Sequence, residues 1–231
     1  MGKLQGQSSF FVAGPPAVPG EAHKPIVRFI LKEIQGNTVL DIGGGQGAYA
    51  LELRKAGYRP VVVDVDKNAL AVAAQNGLEV RAVTPDEALG ENVADTVILI
   101  EVLEHVVDPS LFLQSAIRAA KKRVIFTLPC TDNFAQLFQM GLSYAHIAVS
   151  DHLHHFSENE LKSLLAQLSC HYRLEKGDFL FPHASMFPLS NSMRWPLLGK
   201  LCMFPLRVLN RLGGVQKSIP SRFYGVIDVA E

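Results

Sequence analysis

The sequence predicts an α/β fold in which a mostly parallel sheet is covered by helices on both faces. Three observations carry this. Short β-branched runs alternate with helical stretches through most of the 231-residue chain, the order that builds parallel strands joined by crossover helices. The runs Val61–Val63 and Val97–Ile100 are apolar at every position, as strands buried on both faces must be. A glycine-rich turn, Gly43-Gly44-Gly45-Gln46-Gly47, joins the first such run to the next helix.

The elements follow in order. Pro25 is tolerated in a first helical turn, so a helix is expected through IVRFILKEI, ending before Gly36-Asn37. TVLDIG (38–43) reads as a buried strand. AYALELRKAG (48–57) is a helix closed by Gly57, and PVVVDVD (60–66) is the second strand. Asp66 can cap KNALAVAAQNG, closed by Gly77. LEVRAV (78–83) and DTVILIE (95–101) are the third and fourth strands. Asp108-Pro109 opens the next helix with a cap followed by proline, and KRVIFTLP (122–129) is the fifth strand. Ser157 with Glu160 forms a capping-box pattern ahead of a further helix. Two last strands are expected around 171–180 and 222–229. Residues 1–24, rich in glycine and proline, read as an arm or flap. Residues 25–231 read as one domain with insertions at 130–155 and 182–220, both on the ligand side of the sheet.

Composition narrows the function. Hydrophobic residues make up 48% of the chain and charged residues 19%, which excludes a disordered protein. The 22 basic and 22 acidic residues cancel, so no nucleic-acid partner is expected. Cys130, Cys170 and Cys202 form no CxxC pair, which argues against a disulfide framework or a cysteine zinc site. No secretory leader is visible, and no apolar run reaches the roughly 18 residues of a spanning helix. A cytoplasmic protein is expected. Residues 195–212, if helical, bring Lys200, Arg207 and Arg211 within about 40° of one another. That basic amphipathic pattern fits a lid over an apolar acceptor pocket or a weak membrane-surface contact.

The glycine loop is the sharpest signal. Glycines let a ligand approach the backbone closely, and the helix after them offers unpaired N–H groups. Asp64, at the end of the second strand, could accept hydrogen bonds from both hydroxyls of a ribose. DIGGGQG (41–47) resembles the D-x-G-x-G-x-G motif of class I S-adenosylmethionine-dependent methyltransferases. VVVDVD, ADTVILIEVLEHVVDP and DHLHHFSENELKSLL resemble further blocks of that group, in its order and spacing, across roughly residues 37–170. The third and fourth blocks are similar to the quinone-biosynthesis subgroup. The resemblance implies a Rossmann-like, seven-stranded, mostly parallel sheet with lid insertions. It implies S-adenosylmethionine as cofactor, S-adenosylhomocysteine as product, and cofactor contacts by Asp41, Gly43, Gly45, Gly47, Asp64, Val65, Asp86 and Glu101. Thr84 is the alternative to Asp86, because the usual acid after the third strand stands one or two residues late here.

The expected reaction is transfer to oxygen of a small, apolar or lipid-linked acceptor. Its proton would pass to one of His105, His152 and His154, of which the last two lie in the unusual run Asp151-His152-Leu153-His154-His155. Some members of the resembled subgroup use E-x-x-E-H, here Glu101 to His105, for a divalent metal. No metal is expected in this chain, where the three side chains line the pocket and shape the following loop. Two alternatives stay open. Gly43-x-Gly45-x-x-Ala48 with Asp64 also satisfies a dinucleotide fingerprint, so an NAD(P)-dependent oxidoreductase is one. A catalytically silent, methyltransferase-like binding module is the other.

Overall fold

The computed structural model describes residues 21–84, 89–135, 142–144, 151–168, 170–180, 186–188 and 219–229. The elements are α1 (Lys24–Glu33), β1 (Thr38–Ile42), α2 (Ala48–Lys55), β2 (Arg59–Asp64), α3 (Lys67–Gln75), β3 (Glu79–Ala82), β4 (Ala94–Ile100), α4 (Pro109–Ala119), β5 (Ala120–Pro129), β6 (Leu142–Tyr144), α5 (Glu158–Ala166), β7 (His171–Leu180), β8 (Met186–Pro188) and β9 (Ile219–Asp228). The expected caps form. Asp66 accepts from the Asn68 amide and Asp108 from the Leu111 amide. Ser157 and Glu160 make both bonds of the capping box.

Seven strands form one sheet in the order β3-β2-β1-β4-β5-β9-β7. Within it the pairings are parallel except those of β9, which runs against both β5 and β7. The sheet is therefore seven-stranded and mostly parallel, as expected. Strand periodicity of two sorts the core into faces. From β4, Val97 and Leu99 pack with α4 and α5 on one face, while Ile98 and Ile100 pack with α1 and α2 on the other. Val39 shares the α1 face, so by alternation Asp41, Thr127, Arg222 and Tyr224 belong to that side too.

Helix α1 is pinned at its C-terminal end by charge. Glu33 is buried and takes Arg173 Nη2 at 2.6 Å and Arg123 Nη1 at 3.3 Å, and Arg123 also reaches the Glu33 carbonyl at 2.7 Å. β6 and β8, which the sequence did not announce, pair antiparallel with each other. They bring the two stretches that broke the βα alternation, 130–155 and 182–220, together through backbone bonds. Segments 1–20 and 195–212 lie outside the described residues. Among the described residues, no helix is long and apolar enough to cross a membrane.

Gly225 shows how tightly the sheet centre is packed. It stands opposite Phe126 across the β5–β9 pair, and an added Cβ would lie 2.0 Å from that fully buried ring. Gly225→Ala is expected to cost about 1–3 kcal/mol through forced side-chain and backbone shifts. Urea unfolding would show a lower midpoint at unchanged slope; an unmoved midpoint would mean that the β5–β9 contact is looser than described.

Candidate functional site

β1, β2 and β4 are parallel neighbours, so their carboxyl ends meet at one edge, where open α/β sheets bind ligands. The loop after β1 makes a cleft there of about 330 Å³, lined by Asp41, Gly43, Gly44, Gly45, Gln46, Ala48, Tyr49 and Ile100. Gly43, Gly45 and Gly47 all have φ between 54° and 79°, a left-handed conformation that favours glycine. Gly44 is required for a different reason: a Cβ there would lie 2.7 Å from the Asp41 carboxyl. The Gly43 amide donates to the Val63 carbonyl at 2.7 Å. The Gly45 amide donates to Asp64 Oδ2 at 2.8 Å, and the Asp66 amide to Asp64 Oδ1 at 2.9 Å. Each Asp64 oxygen thus spends one of its roughly two lone-pair sites on the backbone. One site per oxygen remains, which suits a vicinal diol.

Asp41 is 1% exposed and its Oδ2 has no hydrogen-bond partner. Burial pushes its carboxyl up to about 7; the Asp64 carboxylate adds to the rise and a bond from the Ala50 amide opposes it. Val65 is 57% exposed on the rim beside Asp64, an apolar surface next to a ribose site. Asp86 lies outside the described residues; Thr84 is exposed there.

Glu101 directly follows β4. Its φ is +56°, and its carboxylate is turned toward β5 and β9. Oε1 accepts from Thr127 Oγ1 at 2.8 Å and from Arg222 Nε at 3.0 Å, and Oε2 from Arg222 Nη2 at 3.2 Å. Arg222 is 7% exposed and also donates from Nη1 to Asp178 Oδ2. His23 Nδ1, at the start of α1, stands 3.6 Å from the same Asp178 oxygen. Thr127, Asp178, Arg222, Tyr49 and His23 were missed in the sequence. Glu101 and Arg222 are 121 residues apart, and no local pattern joins them.

The expected catalytic histidines gather around Glu104. Ligand-capable atoms of Glu104, His105 and His152 lie within 4.8 Å of one another, and the His105 and His152 rings meet edge to face at 4.7 Å. His105 Nδ1 contacts the Asp151 carbonyl at 3.1 Å. A carbonyl only accepts, so Nδ1 carries a proton, and in the neutral ring Nε2 keeps a lone pair. His154 is employed differently. Its Nε2 donates to the Val106 carbonyl at 2.9 Å, and its amide to the Glu104 carbonyl at 3.1 Å, tying the segment to the loop after β4. Glu104 is 1% exposed and neither carboxyl oxygen has a hydrogen-bond partner. Burial and the Glu101 carboxylate hold it well above the ordinary range.

A family model described as a methyltransferase domain matches residues 17–171. The chain belongs to the methyltransferase domain family. Its fold is that of the S-adenosylmethionine-dependent methyltransferases. An S-adenosylmethionine-dependent methyltransferase from Archaeoglobus fulgidus aligns at a TM-score of 0.60 with 17% identity, over 89% of this chain and 92% of that one. Magnesium protoporphyrin IX methyltransferase from Synechocystis, with S-adenosylhomocysteine bound, aligns at 0.56 with 15% identity, over 88% and 80%. Ubiquinone biosynthesis O-methyltransferase of Caulobacter vibrioides is 31% identical over 147 residues, 57% of this chain and 58% of that one. Its counterpart in Paracidovorax citrulli is 37% identical over 102 residues, 39% and 42% respectively. The matched part of the methyltransferase thus spans under two thirds of the length of these curated relatives.

The buried Asp41 makes a pH prediction. Its folded pKa of about 7 stands above the unfolded value of about 3.9. Between those values the folded chain holds a proton that the unfolded chain has lost, so stability falls as pH rises through the window. Asp41→Asn cannot ionise. Its stability relative to wild type is expected to grow from about pH 4 to about pH 7 and to level off above. Urea unfolding of the ligand-free protein across that range checks it; a constant difference would show that Asp41 ionises as an ordinary carboxylate.

Proposed function

We propose that the protein transfers the methyl group of S-adenosylmethionine to an oxygen of a small, apolar or lipid-linked acceptor. The observation that carries the reading is the Gly43–Gly47 loop, which lines a cleft at the strand ends and is held by Asp64 through one backbone bond, each Asp64 oxygen keeping a further lone-pair site. The proposed cofactor contacts are Asp41, Gly43, Gly45, Gly47, Asp64 and Val65, with Asp86 and Glu101 as further members. The names of the Caulobacter and Paracidovorax relatives support transfer to oxygen. The protein is placed in the cytoplasm on this reading, and any membrane-surface contact falls to residues 195–212.

S-adenosylmethionine supplies an already activated methyl group when bound. The protein's part is to hold the acceptor in line, which can be worth about 7–11 kcal/mol, and to take its proton. His105, through Nε2, and His152 are the proposed bases. Either imidazole would accept the O–H proton of the acceptor as its oxygen takes the methyl group that the bound donor would supply. His154 supports their loop. A second reading of the same cluster is favoured by the two unpartnered Glu104 oxygens beside two imidazoles. Glu104, His105 and His152 would then hold a divalent cation that positions the acceptor oxygen.

Calorimetric titration with S-adenosylmethionine, S-adenosylhomocysteine and NADH tests the cofactor. Both sulfur nucleosides are expected to bind, at least tenfold more weakly to Asp64→Ala, since a hydrogen bond to a charged group contributes about 1.5–3 kcal/mol. NADH binding in their place would establish an oxidoreductase. For the base, a phenolic acceptor that wild type methylates should lose about 10²–10⁴ in turnover with the responsible histidine changed to alanine. Full turnover by His105→Ala and His152→Ala would remove both from the chemistry. Loss of turnover in EDTA, restored by a divalent cation, would favour the second reading; no turnover on any acceptor, with cofactor binding intact, would favour a silent module.

A further inference from the structure

Asp41 is the ionisable acid of the cleft lining, and no basic side chain lines the cleft with it among the described residues. It is 1% exposed, and its Oδ2 has no hydrogen-bond partner among those residues. Gly44 passes over it: a Cβ there would lie 2.7 Å from the carboxyl carbon and from Oδ2. A carboxyl so enclosed needs either a cation beside it or a proton on it.

The surroundings leave that role to the proton. In the sheet, Asp41 stands between Val62 of β2 and Ile98 of β4. On the same face α1 contributes Ile26 and Ile30. From α2 come the Ala50 amide, which bonds to the carboxyl, and Tyr49, whose phenol is kept neutral by burial with a pKa of about 12. Beyond Tyr49 stand Glu101 and Arg222, which act on that phenol. The charged side chain that bears on Asp41 itself is Asp64, at the end of β2, and its negative charge favours protonation.

The cleft runs from Gly45, which Asp64 holds, to Ile100 at the end of β4, and β1 lies between those strands. A cofactor with its ribose on Asp64 therefore carries its remaining groups past Asp41. In the methyl donor these are a sulfonium, an ammonium and a carboxylate, with one net positive charge. In the product a neutral thioether replaces the sulfonium, and no net charge remains. A positive charge nearby favours the ionised form of a carboxyl, and by reciprocity the ionised carboxyl favours the positive ligand. We propose that Asp41 is a specificity-determining residue of the cleft, whose carboxylate favours the methyl donor over the spent product and whose neutral acid does not. A proton on Asp41 thus sets how strongly the product competes with the donor. This inference rests on the reading of the cleft as the S-adenosylmethionine site.

The test is the ratio of the two dissociation constants, product over donor, measured calorimetrically at pH 6 and pH 8, on either side of the Asp41 value of about 7. In wild type the ratio should rise about three- to tenfold more than in Asp41→Asn, the effect of one unit charge several ångströms away in a partly wet site. Asp41→Asn keeps every other titration, those of His23 and of the ligand amines included, so the excess belongs to Asp41. A purely structural role predicts that the variant weakens both ligands equally at both pH values. Should Asp41→Asn fail to fold by circular dichroism, wild type alone decides through its proton count. At pH 6.5, below the usual α-amino pKa of about 7.7–8.0, titrations in two buffers of different ionisation enthalpy should show donor binding releasing more protons than product binding. Equal release, or ratios that move alike in wild type and variant, overturns this inference and leaves the cofactor reading standing. Wild type that binds neither nucleoside overturns both.

Discussion

The hydrogen bond from the Gly45 amide to the Asp64 carboxylate joins the two strand ends on which the cleft is built. β1 and β2 are in parallel register, with Ile42 beside Val63, so both reach the same sheet edge together. The chain after β1 must then turn back into α2 without covering the edge. Glycine backbones make that turn, and Asp64 fixes its depth. The same carboxylate takes the Asp66 amide, so a single side chain sets the loop after β1 and the start of the loop after β2. Asp41 sits beneath this turn, in a space that any side chain at position 44 would fill. The cleft is thus a consequence of backbone geometry, and its first acidic residue is buried because the turn above it is tight.

Burial of acids is the recurring cost at this edge. Asp41 and Glu104 are almost fully buried, and each has a carboxyl oxygen with no hydrogen-bond partner. Removing an isolated carboxylate from water is expensive, and a protein usually responds by keeping the group protonated. Both groups do so, with pKa values raised mainly by burial. Glu101 and Asp178 follow the other route and share a buried guanidinium. Breaking such a pair by removing one partner costs about 3–5 kcal/mol, so Arg222 holds the chain after β4 to β7 and β9 at their site-facing ends. Glu33 with Arg123 and Arg173 does comparable work at the C-terminal end of α1.

Most of the fold was legible because its signals are local. Continuously apolar runs, helix caps at Asp66, Asp108 and Ser157, and glycines at 57 and 77 each depend on a few consecutive residues. The glycine loop and Asp64 were legible for the same reason: a strand, a turn and an acid at the next strand's end lie within about 25 residues, the length of one βαβ step. The Arg222 triplet was not legible. β9 is the last strand in sequence but sits between β5 and β7 in the sheet, so its side chains meet residues more than forty positions away. Glu101 was picked out as a site residue, yet its partners decide what its carboxylate can do. The histidine run was visible, but sequence could not separate His154, a strut to Val106, from His105 and His152, which meet beside Glu104. The β6–β8 pairing escaped because each partner is three residues long and stands inside an irregular stretch.

The layout divides the work of a methyltransferase between two groups of strand ends. The loop after β1 lines the cleft and is held by Asp64 at the end of β2. β4 provides, within five residues, both Glu101, held by strands on the far side of the sheet, and the Glu104–His105 pair that meets His152. The cleft loop and the acid that holds it are therefore encoded in nearby sequence, whereas side chains that meet Glu101 and Glu104 come from β5, β9 and the segment before α5. That separation follows from topology: the βαβ half of the sheet is built from adjacent sequence, and the half containing antiparallel β9 is not.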